Sequence, residues 1–541
     1  MTDTPDPAGE QHHTGPRLAG LRVLVAGAGT AGVSAADYLL DAGAQVTLAD
    51  DRFADPATGS TPAIDAVLTR GATTVAIADV LADPDRLADT DLLIASPGFA
   101  PTHPLPVAAT EREIPVWGEV ELAWRVDRAG LLGPPRTWLV VTGTNGKTTT
   151  TSMLADIVAA SGRSGAACGN IGLPVLDAMR AEPRVDVLCA ELSSFQLYWA
   201  PSVAPDAGVV LNIADDHLDW HGGFDGYATA KAIALHGRIG VVGLDDPVAS
   251  TLPVAGRRVG FTLGEPESGE LGIVDGQLVD RAFTDAPGGQ PLGAASAIHP
   301  PGPPGLSDAL GAAALALAVG VTAEEVTSAL AAFRPAAHRG EVVARVDGID
   351  YVDDSKATNP HAAQAAVAAH RRVVLIAGGL LKGASLDGML TAVGDRLAGV
   401  VAIGRDRDLV AEAIARHAPE VPTVTVFTGD DGGVTVQHAN SAVLDGAARA
   451  PRDARSTDPG AVGSGVAAPD PAVAVMARAV REAWRMAAGA NPRPDAVLLA
   501  PAAASLDMFA GYGRRGDAFA AAAAALPGAE TPAPVRPGGD A

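Results

Sequence analysis

Residues 136–160 read RTWLVVTGTNGKTTTTSMLADIVAA, an apolar strand, a glycine-containing loop and a helix with apolar residues at helical spacing. In that order the segment is a phosphate loop. Gly143 and Gly146 let backbone N–H groups converge on an oxyanion, with Thr144 and Asn145 between them. Lys147 supplies a cation, Thr148 can ligate Mg²⁺, and Thr149 continues the first helical turn, whose N-terminus favours negative charge. Val141 stands where a GxxxxGK[ST] loop has its first glycine, so the retained core is GxxGKT. A glycine turn followed by a solvated lysine is the bland alternative; a strand before and a helix after it disfavour that reading.

A second βαβ start precedes this one. Residues 21–50, LRVLVAGAGTAGVSAADYLLDAGAQVTLAD, carry Gly27, Gly29 and Gly32 in a GxGxxG turn, with Thr30 and Ala31 inside it and Asp50 at the end of the next strand. The motif says that a diphosphate can approach the backbone closely. Taken alone it fits a nicotinamide dinucleotide and another diphosphate ligand equally. A third set of alternating strands and helices begins near Glu341, with RRVVLIAGG from Arg371 and AVLLAPAAASLDMF from Ala496 as its clearest strands.

The expected architecture is therefore α/β in three domains: a Rossmann-like N-terminal domain over residues 21–133, a P-loop-type central ATPase domain over 134–334, and a Rossmann-like C-terminal domain over 335–526. Residues 1–20 read as a disordered arm and 527–541 as a disordered tail. Residues 264–304 and 429–470, where Gly, Pro, Ala, Ser and Asp dominate, read as loop-like insertions.

Bulk properties narrow the function class. A formal net charge of −24 over 541 residues repels polyphosphates at long range, which argues against general nucleic-acid binding and requires any anionic ligand to be met by local cations. No run reaches the roughly 20 apolar residues that cross a bilayer, so membrane insertion is not expected. Cys168 and Cys189 are too few for a disulfide framework and lack zinc-ligand spacing, which favours a reducing compartment and a cytoplasmic location.

Two further segments supply acids. In DVLCAELSSFQLYW, from Asp186, Glu191 stands just past an apolar strand, where ligand sites open in parallel sheets. In VVLNIADDHLDWHGGFDGYATAKAIAL, from Val209, another strand end is followed by Asp215, Asp216, His217 and Asp219, then by Lys231 inside a helix. Acid-rich loops are usually solvated. Beside a phosphate loop they gain weight, because phosphoryl transfer requires a divalent cation.

In order along the chain, TGTNGKTT, GNIGLP from Gly169, ELSSFQL from Glu191, NIADDHLDW, YATAK, His338–Arg339 and DDSKATN from Asp353 resemble the Mur ligase family, in its D-glutamate-adding branch. The resemblance implies an ATP-dependent acid–amino-acid ligase of peptidoglycan precursor synthesis, with UDP-N-acetylmuramoyl-L-alanine and D-glutamate as substrates. Another Mur-type or a folylpolyglutamate-type amino-acid ligase is the alternative enzyme, and an NAD-binding regulator the alternative outside catalysis. ATP and Mg²⁺ are implied as cofactors, and a monomer as the working form.

By resemblance Lys147, Glu191, His217 and Lys231 are catalytic, and Thr148, Glu191, His217 and a carbamylated Lys231 hold metal. The loop Gly143, Thr144, Asn145, Gly146, Lys147, Thr148 and Thr149 binds ATP together with Arg339 and Asp354. Gly29, Thr30, Ala31, Asp50, Arg52, Gly98, Asn170 and Ser193 meet the UDP substrate. Lys356, Thr358, Lys382, Ser505, Leu506 and Tyr512 meet the amino acid, whose carboxylates need cations and hydroxyls to replace water. Family members often carry an HNxxN segment near the adenine. Here the matching stretch is PPGLSDALGAAALAL, with Asp308 near the second Asn.

Overall fold

A computed structural model describes residues 17–55, 60–335, 337–429, 433–438 and 470–530. The chain divides into two compact units, one running to His299 and resuming over Pro304–Phe333, the other made of Pro300–Pro303 and the residues from Arg334. The α/β class holds in both.

The first unit contains two sheets. The smaller has five parallel strands in the order Thr73–Val75, Gln45–Ala49, Arg22–Ala26, Leu92–Ala95, Val116–Trp117. The larger has nine. Its parallel centre places Thr137–Thr142 between Ala207–Val210 and Val187–Glu191, so the phosphate loop, Glu191 and the segment after Val210 all leave the sheet at one end. Near-continuous apolar strands such as Leu139–Val141 are 0% exposed, as strands covered on both faces must be.

A buried ionic knot ties the chain segment linking these sheets. Asp127, at the end of helix Glu119–Arg128, accepts from Arg136 N and Nη1 and from the indole Nε1 of Trp138 at 3.0 Å, while Arg136 Nε donates to the Val185 carbonyl at 2.9 Å. Asp127 thus faces three donors from Arg136 and Trp138, which is what makes its buried charge tolerable.

The stretch 264–304 is more ordered than its composition suggests. Glu270–Val274 and Gln277–Asp280 form an antiparallel hairpin that extends the nine-stranded sheet, and Gln290–Ala294 adds its edge. The reason is local: Asp275 and Gly276 both have positive φ, 48° and 73°, the conformation a two-residue hairpin turn demands and the pair that favours it.

The second unit holds a seven-stranded sheet in the order Glu341–Val346, Ile349–Asp353, Ala496–Leu499, Val373–Gly378, Leu397–Ile403, Thr423–Thr428, Val434–His438. Within the insertion expected over 429–470, Val434–His438 pairs antiparallel with Thr423–Thr428, while residues 439–469 lie outside the described residues. Two residues assigned to the arm and tail are likewise engaged. Leu18 is buried in the first unit's core, and Glu530 exchanges two 2.8 Å backbone hydrogen bonds with Arg345. Among the described residues no helix is long and apolar enough to cross a membrane.

Candidate functional site

The phosphate loop is held by its neighbours. Gly146 caps helix Lys147–Ala160 at φ 83°, a left-handed conformation that glycine adopts without steric cost. Asn212, just past strand Ala207–Val210, accepts the Asn145 N–H on its side-chain oxygen at 2.9 Å and donates back to the Asn145 carbonyl at 3.2 Å. Thr144 bonds Tyr227 OH at 2.9 Å and accepts from Ala214 N at 2.9 Å. Asn212 and Tyr227 were not among the residues expected here; their signal is the strand end and the helix carrying Lys231.

Lys147 Nζ donates to the carbonyls of Gly143 and Thr144 at 2.9 and 2.8 Å, which stations its charge at the loop. Lys231, on helix Phe224–Ala232, is 1% exposed and donates to the same Gly143 carbonyl at 2.7 Å. Burial, reinforced by the charge of Lys147, holds its ammonium well below the ordinary lysine range.

Glu191 ends strand Val187–Glu191 with 1% exposure. Its Oε1 accepts from Asn170 Nδ2 at 2.6 Å, while Oε2 is buried with no hydrogen-bond partner in the protein, a costly arrangement unless a ligand completes it. His217 sits apart from Glu191 in its contacts. Its backbone is left-handed at φ 52°, its ring packs on Phe195 at 4.8 Å, and Nε2 faces Asp216 at 3.4 Å. Among the described residues no group of three or more His, Cys, Asp or Glu converges on a metal position. An orphaned Glu191 oxygen beside a phosphate loop still fits Mg²⁺, which keeps several waters and takes one or two carboxylates plus phosphate oxygens.

A cleft of about 290 Å³ opens between the two sheets of the first unit, lined by Thr30, Ala31, Asn170 and Ser193 among the expected residues, and also by Glu119 and Phe195. Gly29 caps helix Thr30–Asp41, whose N-terminus faces this side. The turn is tightly built: a Cβ on Gly32 would lie 1.9 Å from the Gly27 carbonyl, and one on Gly27 would meet Ser96 Oγ at 2.6 Å. Asp50 braces it by accepting from Ala28 N at 2.7 Å and from Arg52 Nε at 3.0 Å. Burial alone would raise the Asp50 carboxyl, but these donors hold it below the usual range. Asp50 and Arg52 therefore engage each other and the turn, and Gly98 follows Pro97 of the cleft wall.

Glu119 was missed in the sequence. It is 4% exposed, accepts from Leu176 N at 2.7 Å, and is pushed up to about 7 by burial. Asp308, in the stretch that matches the HNxxN segment, accepts on Oδ1 from Thr150 Oγ1 at 3.1 Å, in the first turn after the phosphate loop.

In the second unit His338 Nδ1 and Asp353 Oδ2 are 2.7 Å apart, and Asp353 also accepts from Ser355 N at 3.0 Å. Asp354 is half-buried and pushed up to about 7 by burial, against which the Arg339 charge acts. Lys356 Nζ stands 3.9 Å over the Tyr512 ring, and buried Arg515 bonds Ser355 Oγ at 3.0 Å, so Lys356 and Tyr512 share one locality. Ser505 is buried, Leu506 is 66% exposed, and Lys382 sits on an exposed turn at φ 53°. Leu506 lines a separate cleft of about 450 Å³ with Arg405, Arg407 and Phe427 at the carboxyl ends of the strands. Thr358 N donates to the Lys356 carbonyl at 2.8 Å within the same turn.

Comparison with known proteins agrees over nearly the whole length. Residues 21–118 match the Mur ligase MurD-like N-terminal domain, 141–262 the Mur ligase middle domain, and 338–450 the Mur ligase glutamate ligase domain. A UDP-N-acetylmuramoylalanine--D-glutamate ligase from Rhodococcus jostii (strain RHA1) is 53% identical over 516 residues, covering 94% of this chain and 96% of the relative. Proteins of the same name from Mycolicibacterium smegmatis (51% over 517 residues, 95% and 98% covered) and Mycobacterium avium (53% over 511 residues, 94% and 97% covered) are similarly close.

Proposed function

This chain belongs to the Mur ligase family, and from that premise we propose that it joins D-glutamate to UDP-N-acetylmuramoyl-L-alanine at the expense of ATP, through an acyl phosphate, in the cytoplasm. The observation that carries the reading is the convergence of Lys147 and Lys231 on the Gly143 carbonyl, one amine stationed for phosphate and the other buried behind it.

The L-alanyl carboxylate is a poor electrophile. Its oxygen attacks the γ-phosphorus of ATP, the bond to the bridging oxygen breaks, and ADP leaves. The amino group of D-glutamate then attacks the acyl carbon, phosphate departs with the bonding pair, and the nitrogen gives up a proton. Lys147 and the loop N–H groups stabilise the transferring phosphoryl group by position and charge. Mg²⁺, when bound near Glu191 and Thr148, supplies further neutralisation of the phosphate oxygens.

Lys231 is the residue that needs a chemical explanation. A buried neutral amine is a nucleophile for CO₂, and the resulting carbamate presents anionic oxygens in place of a cation. We assign Lys231 as carbamylated in the working enzyme, where it serves as a metal-side anion. The cleft lined by Thr30, Ala31, Asn170 and Ser193 takes the UDP substrate, with the N-terminus of helix Thr30–Asp41 toward its diphosphate. Lys356, Tyr512 and the turn at Ser505 take the acceptor. Incubation with ATP, UDP-N-acetylmuramoyl-L-alanine and a panel of amino acids tests the assignment. Phosphate release confined to D-glutamate is expected; release with another amino acid alone overturns it.

A further inference from the structure

We infer that the cleft of about 450 Å³ in the second unit is a binding site for a small zwitterion with an apolar body, of the size and chemistry of an aliphatic dipeptide with free termini. The inference goes beyond the ligase reaction proposed above and does not rest on it.

The cleft opens over the carboxyl ends of strands Leu397–Ile403 and Thr423–Thr428, the end of a parallel array where ligand sites form. Of the residues assigned to the amino-acid acceptor it shares only Leu506; Lys356, Thr358, Lys382, Ser505 and Tyr512 lie outside its lining.

Its two charged walls come from different segments. Arg407 begins helix Arg407–His417, and its guanidinium lies 4.1 Å over the Phe427 ring, which holds the fork in place without neutralising it. Nη1 donates to the Gly404 carbonyl at 3.2 Å, an oxygen of exposed Asp408 is 3.8 Å from Nη2, and Nε is buried with no hydrogen-bond partner. Asp507, in the loop after strand Ala496–Leu499, accepts from Arg405 N on Oδ2 at 2.7 Å, and a Cβ on Gly404 would stand 2.7 Å from the same oxygen. That contact pins the turn that carries both arginines. The other oxygen, Oδ1, is buried with no hydrogen-bond partner.

A donor and an acceptor of opposite charge thus stand unpaired in the walls of one cleft, an arrangement that costs stability unless something completes it. A simple anion would suit Arg405 and Arg407 but meet the Asp507 carboxylate, and a simple cation would meet two guanidinium groups. A ligand that carries both a carboxylate and an ammonium answers each wall. Leu380, Leu506 and Met508 supply the apolar lining, and Leu506 is 66% exposed, so an aliphatic body has surface to cover. The aromatic residue of the lining, Phe427, already carries Arg407 on its ring, which disfavours a stacked base. The volume lies in the range of small-molecule pockets and leaves room beyond a single amino acid.

Calorimetry on the full chain tests this with three probes: L-leucyl-L-leucine, its N-acetyl form, which lacks the ammonium, and its C-terminal amide, which lacks the carboxylate. The free dipeptide should bind, and each blocked form should bind about 10-fold more weakly, the scale of one lost hydrogen bond between charged groups. Asp507→Asn still accepts from Arg405 N and should abolish the difference between free and acetylated dipeptide while keeping that between free and amidated; Arg407→Gln should do the reverse. Saturating D-glutamate should leave the dipeptide bound. No heat with the free dipeptide at millimolar concentration, a blocked form binding as well as the free one, variants that weaken all three probes alike, or displacement by D-glutamate overturns the inference. The three-probe comparison in the wild type decides the matter even where a variant fails to fold.

Discussion

Lys147 and Lys231 direct their amines at one acceptor, the Gly143 carbonyl oxygen, at 2.9 and 2.7 Å. Two ammonium groups so close repel, and the buried one yields: burial first and the neighbouring Lys147 second favour a neutral Lys231. The uncharged amine is the form that captures CO₂. Activity should therefore fall when bicarbonate and CO₂ are stripped from the buffer and return on their addition, and ¹³C-bicarbonate should give a carbamate carbon signal that Lys231→Arg lacks. Full activity in rigorously CO₂-free solution would remove the carbamate from the scheme.

Lys147 contributes differently, as a permanent charge at the loop. Replacing it by Ala should lower kcat/KM about 10³-fold or more, the scale for losing one preorganised electrostatic group on a transferring phosphoryl. The fold should survive, because Lys147 is only half-buried and its acceptors are loop carbonyls. Steady-state phosphate release together with thermal unfolding separates the two effects.

Asp127 answers to stability alone. It is 0% exposed and accepts from Arg136 and Trp138, so Asp127→Ala leaves the Arg136 guanidinium buried without its anion. A loss of about 3–5 kcal/mol is expected. Urea titration would read it as a lower midpoint with an unchanged slope.

Much of this was legible because backbone chemistry leaves strong marks. The glycines at 27, 32, 143 and 146 declare themselves by composition, and the structure gives a steric reason for each. Apolar strands buried on both faces read equally well. What was not legible depended on distance along the chain. Asp308 reaches Thr150 across 158 positions, and Glu119 meets Leu176 across 57, so neither pairing leaves a local pattern. The 264–304 hairpin is a different case: its Asp275–Gly276 turn was present in the sequence but was outweighed by a composition dominated by Gly, Pro, Ala, Ser and Asp. Glu191 stands out at its strand end, whereas its half-satisfied state, one oxygen on Asn170 and one without a partner, arises only when distant segments pack around it.

Glu119 gives a pH dependence whose sign can be worked out. Its carboxyl rises from 4.5 to about 7 on folding, because burial disfavours the charged form more than the Leu176 N–H favours it. Between those values the native state holds a proton that the unfolded chain has released, so stability falls as pH rises through this window. The contribution is fully present below about 4.5 and lost above about 7, on the order of 3 kcal/mol for a wholly buried group. Glu119→Gln keeps an acceptor for Leu176 N but cannot ionise. Its stability relative to the wild type should therefore improve from pH 5 to pH 8, whatever other groups titrate in both proteins. Because Glu119 also lines the cleft assigned to the UDP substrate, ionisation places a negative charge beside an anionic ligand. Affinity for a UDP nucleotide should weaken above about pH 7 in the wild type and hold in Glu119→Gln, measured by calorimetry at both pH values. A stability difference that stays constant across the range would mean that Glu119 does not titrate there, and the affinity difference should then vanish with it.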